Sequence, residues 1–298
     1  MLALITAAPY SLILMAAIGT VWSPPITLSP RLQLPRWLVL AVLALGWATL
    51  LGALHASGWL ALAALLLSAW AYRHAPQRAL RLLGGVLTLV LALALAMHKL
   101  PGFVNPVLLK GVLVSPDGLP FTQYANLDKA CVGLVLLALV SQRLHNMAQL
   151  RTALRCFAVL APATVVTVMA AALASGFVRI DAKLPAYTLQ FIVVNLFFTV
   201  IAEETFFRGL IQGQLTRWLE QRWPQTRWIG LLAVLVSALL FGAAHLGGGP
   251  AYAALAALAG VGYAYAYHAT GRIEAAIATH LLVNAVHFLG FTYPALAS

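Results

Sequence analysis

FIVVNLFFTVIAEETFFRGLIQG, residues 191–213, places two acids and an arginine inside one long apolar run. About 20 apolar residues in a helix cross the hydrocarbon core of a bilayer, so the stretch reads as a membrane span. A charged side chain near the bilayer centre costs roughly 2.5–3.5 kcal/mol on insertion scales, so Glu203, Glu204 and Arg208 together cost about 8–10 kcal/mol. Such groups persist in lipid only where they pair, neutralise or meet a water-filled cavity. The run therefore decides two things at once: a membrane protein, and a functional site within it.

The rest of the chain agrees with the first point. Of 298 residues, 62% are hydrophobic and 8% are charged, against roughly 25% charged in an ordinary soluble domain. Apolar runs occur at about 2–21, 37–55, 58–72, 82–98, 130–142, 156–176, 186–212, 228–246, 250–268 and 273–291. The expected fold is all-α, a polytopic transmembrane helix bundle of about 8–10 spans in a lipid bilayer. The runs at 37–55 and 58–72 lie so close that they read as a tight hairpin or as one span and a re-entrant piece. With no Lys or Arg before Arg31, the first run lacks the basic region that precedes a cleavable signal and reads as a retained span.

A net charge of +11 does not make the chain a nucleic-acid binder, because the basic residues lie almost entirely between apolar runs, as in membrane proteins. Twelve of them, Arg31 and Arg227 included, fall in odd-numbered connections. Five (Lys99, Lys110, Lys129, Arg179 and Lys183) fall in even-numbered ones. That bias places both termini on the non-cytoplasmic side. Arg outnumbers Lys 14 to 4, which hints at a GC-rich bacterial genome and hence at a bacterial inner (cytoplasmic) membrane. Cys131 and Cys156 sit in or beside apolar runs and carry no role. Residues 99–128 form the one long polar connection, broken by Pro101, Pro106, Pro116, Gly118 and Pro120.

Helical spacing sorts the polar groups. Glu204 precedes Arg208 by four residues, the favourable order for an ion pair on one helix face; Glu203 points about 100° away. One carboxylate can be held by the guanidinium while the other faces a different space. Phe241 and His245 are four apart in LLFGAAHLGGGP, and His280 and Asn284 are four apart in AAIATHLLVNAVHF. Peptide hydrolysis needs a base for water, a donor for the oxyanion and an acid for the leaving amine. Glu203 suits the base, His245 the positioning of water or relay of its proton, and His280 and Asn284 the oxyanion. Neither G-x-S-x-G nor H-E-x-x-H is present.

E-E-x-x-x-R (Glu203, Glu204, Arg208), F-x-x-x-H (Phe241, His245) and H-x-x-x-N (His280, Asn284), in that order, resemble the three motifs of the CPBP family. These are the CAAX-protease and bacteriocin-processing membrane peptidases, also called Abi, which include the Ras-converting CAAX endopeptidase. The resemblance covers 186–291 as a peptidase core, and leaves 1–185 as transmembrane helices of unassigned role. It implies Glu203 as base, with His245, His280 and Asn284 completing the site and Glu204, Arg208 and Phe241 supporting it. The implied partner is a membrane-anchored protein or peptide substrate. A metal-free glutamate mechanism is preferred over a zinc site made by Glu203, His245 and His280, because no H-x-x-x-H spacing occurs and Asn284 is a poor zinc ligand. A proton-coupled transporter is the reading from another class, and the absence of matching intramembrane polar groups in the first half speaks against it.

Overall fold

The computed structural model describes residues 1–29, 32–226 and 228–297; Arg31 and Arg227 lie outside them. Among these residues, apart from two short 3-10 turns, eleven helices occur in the order α1 (Leu2–Ala7), α2 (Tyr10–Gly19), α3 (Arg36–Leu50), α4 (Ala56–His74), α5 (Arg78–Ala96), α6 (Leu127–Leu139), α7 (Met147–Ala174), α8 (Thr188–Arg222), α9 (Ile229–Ala244), α10 (Pro250–Thr270) and α11 (Ile273–Gly290). The ten apolar runs all fall on these helices. The first run is split in two because Pro9 disfavours helical backbone at Ala8, which takes φ −145° and ψ 62°. The run at 58–72 belongs to a complete 19-residue helix, α4, joined to α3 by a turn at 51–55.

Among the described residues, α5, α7, α8 and α11 are long and apolar enough to cross a membrane, and the apolar segments Tyr10–Trp22, Arg36–Leu50 and Ile229–Ala244 are shorter. The chain is thus an all-α integral membrane protein. Helix α8 runs on beyond its apolar stretch through GQLTRWLEQR to a total of 35 residues. At 1.5 Å per residue that is about 50 Å, well beyond a hydrocarbon core of about 30 Å. Among the described residues, strand formation is confined to two hairpins, β1 (Ile26–Ser29) with β2 (Leu32–Leu34) and β3 (Val107–Val112) with β4 (Phe121–Tyr124). The second hairpin gives regular structure to the connection read from sequence as polar loop.

Two compact units are present. One comprises residues 1–110, 123–140 and 189–203. Its centre is α6, LDKACVGLVLLAL, where eleven of thirteen residues are buried; a helix apolar on every side belongs inside its unit. Helices α2, α4 and α5 and the segment Leu196–Val200 of α8 pack around it. At Gly133 the backbones of α6 and α8 nearly touch, and a Cβ there would lie 3.0 Å from the Ala202 nitrogen and 3.2 Å from its Cα. Any Cβ there would push the two backbones apart by a few tenths of an ångström.

The other unit comprises 111–122, 141–188 and 204–298. In it α10 packs against α7, α9 and α11. Six of its eight buried residues are small (Ala253, Ala256, Ala259, Gly260, Ala264, Ala266), the type of surface that lets helices approach closely in lipid. A Cβ at Gly242 of α9 would meet the Ala253 carbonyl oxygen of α10 at 2.7 Å. Residues 177–183 and 291–297 close against the 115–119 segment in a backbone clasp. Thr292 N donates to the Arg179 carbonyl, Ala297 N to the Asp117 carbonyl and Leu119 N to the Ala295 carbonyl, each at 2.9 Å. Within the clasp, hydrogen bonds from Ser115 and then Lys183 hold the Asp181 carboxyl below its ordinary acidity range.

Candidate active site

Glu203 and Glu204 close a single α-helical turn, Ile201–Glu204, set between two π-helical segments of α8, Leu196–Val200 and Thr205–Gln212. π-Turns are rare, and they recur at functional sites. The second π-segment does not separate Glu204 from Arg208. Nη1 of Arg208 donates to Glu204 Oε1 at 3.1 Å, and both side chains are 0% exposed. A guanidinium this deep must direct its donors to protein groups rather than water. Nη2 donates to the Gly260 carbonyl of α10 at 3.0 Å, and the cation lies 4.6 Å from the Phe241 ring and 5.4 Å from that of Tyr263. Cation–π contact of this type contributes about 2 kcal/mol when desolvated.

His280 of α11 joins the same carboxylate. Its Nδ1 donates to Glu204 Oε1 at 2.7 Å. The imidazole stacks on Tyr263, with centroids 4.3 Å apart and planes 12° apart, and meets Phe241 edge-on at 5.6 Å. Two rings and a carboxylate thus fix the imidazole plane and direct the Nδ1 proton to Glu204. Asn284 follows one turn later on α11, half-buried on the same side as His280.

His245 ends α9. The last carbonyls of a helix lack intrahelical partners, and here Nδ1 of His245 donates to the Phe241 carbonyl at 2.7 Å. In the neutral ring that bond assigns the proton to Nδ1 and leaves the lone pair on Nε2. Phe241 is the common neighbour, its ring 4.5 Å from His245 and 5.6 Å from His280. The phenylalanine of F-x-x-x-H packs against both imidazoles and the guanidinium.

In the unit containing residues 189–203, the Glu203 carboxylate receives Lys129 Nζ on Oε1 at 2.7 Å. The pair is only partly buried, with side chains 14% and 16% exposed. So the structure brings Glu204, Arg208, Phe241 and His280 into direct contact, with His245 bound through Phe241. The sequence reading set His280 beside Glu203, whereas its hydrogen bond goes to Glu204. The division between the two acids is clear in their environments: Glu204 is sealed and bonded twice, and Glu203 retains exposure. Zinc would need three or four ligands at about 2.0–2.2 Å. Among the described residues no three His, Cys, Asp or Glu side chains gather around one point.

Residues 185–286 match the family model described as Rce1-like, Type II CAAX prenyl endopeptidase Rce1-like. The matched segment is similar to the CAAX-protease family. All seven site residues expected from sequence lie within the CAAX-protease segment, which begins just before α8 and ends inside α11. Lys129 lies outside it. No curated protein and no solved structure matches the chain.

Three participants escaped sequence reasoning. Tyr263 sits in the repetitive GYAYAYHAT and looks like any interfacial aromatic; nothing local marks it as the ring under His280. Gly260 contributes a carbonyl, which no side-chain pattern reports. Lys129 was counted among loop cations, although its place directly before an apolar run was the available signal.

Proposed function

We propose that the chain is an intramembrane endopeptidase that hydrolyses a peptide bond in a membrane-anchored protein or peptide, with Glu203 as the base that activates water. The observation that carries this reading is the sealed Glu204–Arg208–His280 cluster directly following Glu203 in a CAAX-protease segment. A general base must meet water. Glu204 is 0% exposed and already bonded to a guanidinium and an imidazole, whereas Glu203 is 14% exposed. Glu204 is therefore the structural acid and Glu203 the reactive one.

In the reaction, water gives a proton to Glu203 as its oxygen attacks the scissile carbonyl carbon. The resulting oxyanion takes hydrogen bonds from the Asn284 amide and from His280 Nε2. With Nδ1 donating to Glu204, donation from Nε2 requires the doubly protonated ring. The proton held by Glu203 then passes to the departing amide nitrogen, with His245 Nε2 as relay, and the C–N bond breaks. The mechanism is metal-free, and activity is expected to survive exhaustive chelation. Loss with chelator and recovery with zinc would overturn that part of the reading.

The host membrane in this reading is a bacterial inner membrane, and the substrate class is a membrane-anchored peptide. Prenylated CAAX termini, which the family's name describes, are one candidate within that class. The test compares membrane-protein termini in cells that carry the wild-type chain or Glu203→Gln at equal membrane levels. A set of termini present only with the wild type is expected. Identical termini in the two strains would refute the assignment.

A further inference from the structure

The base of the proposed reaction is bound by a cation from outside the CAAX-protease segment. Lys129, the third residue of α6, donates to Glu203 Oε1 at 2.7 Å. Two features hold the lysine at that place. One turn along the same face, Gly133 lets α6 come within contact of the Ala202 backbone, directly before Glu203. At the head of α6, Asp128 is 1% exposed and its carboxylate is fully engaged. It accepts from His98 Nδ1 at 2.7 Å and, through the other oxygen, from Asn105 Nδ2 at 3.1 Å and the Lys129 backbone N–H at 2.8 Å. Asn105 in turn accepts from Leu127 N at 2.8 Å. A buried acid with this many donors fixes the helix start. The residue it fixes is the one that reaches Glu203.

We propose that Lys129 is a positioning residue of the peptidase, anchoring Glu203 by one oxygen and balancing its charge, while the His98–Asn105–Asp128 clamp holds Lys129 in place. A carboxylate held by a fixed cation has its orientation set before substrate arrives. This assignment rests on Glu203 being the base. It gives the helices before residue 185 a part in the chemistry: they supply the counter-charge and the rigid mount for an acid carried by α8. A lysine is a compact cation with rotatable donors, suited to holding one oxygen without enclosing the group.

The test follows the termini that depend on Glu203 in cells expressing, at equal membrane levels, wild type, Glu203→Gln, Lys129→Met or Lys129→Arg. Lys129→Met is expected to slow their appearance about 10²-fold. On a peptide spanning one such terminus, the loss should fall in kcat with KM unchanged, and Lys129→Arg should restore most of the rate. Wild-type processing by Lys129→Met, or no rescue by a folded Lys129→Arg, overturns this assignment while leaving the peptidase reading intact. Termini unaffected by Glu203→Gln overturn both. Thermal unfolding of the purified full chain supplies a readout independent of activity. The shifts of Lys129→Met and Glu203→Gln should not add in the double variant, and additive shifts would show that the pair does not act as one. Should Lys129→Met fail to accumulate, Lys129→Gln carries the same test.

Discussion

Arg208→Met removes the guanidinium that pairs with a fully buried carboxylate, and its cost can be worked from the contacts. Breaking a buried ion pair by deleting one partner costs about 3–5 kcal/mol. The Gly260 carbonyl, which accepts from Nη2 at 3.0 Å, also loses its donor, at about 1–3 kcal/mol. The two costs overlap, and His280 keeps its bond to Glu204, so the total is about 4–6 kcal/mol. For a chain of this length each kcal/mol moves the midpoint by about 2 °C. The expected fall in Tm is therefore about 8–12 °C, measured on the purified chain in one detergent at one scan rate. Arg208→Lys should recover only part of it, because an ammonium cannot serve Glu204 Oε1 and the Gly260 carbonyl with the fork geometry of a guanidinium. Glu204→Met combined with Arg208→Met should recover more than half, since replacing both members of a buried pair by apolar groups is close to neutral. An Arg208→Met midpoint within 2 °C of wild type, or a double variant as unstable as the single one, would refute the argument that the uncompensated carboxylate carries the cost.

Other consequences are as specific. Tyr263→Ala removes the ring that stacks on His280 at 4.3 Å and should lower kcat about 10-fold or more by loosening the imidazole. Tyr263→Leu, which fills the space without the flat face, should recover stability and not rate, as kinetics and melting measured together would show. In the clasp, the folded Asp181 carboxyl titrates below its unfolded value because Ser115 and Lys183 bind its charged form. Its contribution to stability is present above the unfolded carboxylate pKa of about 3.9 and is lost as pH falls through the lower folded value. Hydrogen exchange at residues 291–297 should quicken across that acidic window in the wild type, and Asp181→Asn should remove that pH dependence.

Sequence alone determined the membrane class, the helix positions and the Glu204–Arg208 pair. These follow from properties a chain carries locally: hydropathy over about 20 residues, proline at helix breaks, and four-residue spacing on one helix. The π-segments around Glu203 and Glu204 were not legible, because widening a helical turn depends on what packs against it. Nor were the sites where helices must touch, such as Gly133 against Ala202. Partner choice was decided only by the tertiary structure. His280 meets Glu204 across 76 residues, and Lys129 meets Glu203 across 74. No local pattern chooses between two adjacent carboxylates for either group. The physical reason is that in lipid every charge must find a partner, while which partner it finds depends on the approach of whole helices. The sequence could require that both acids be bound and could pair the guanidinium with Glu204; the fold alone assigned the imidazole to that same acid and the lysine to the other.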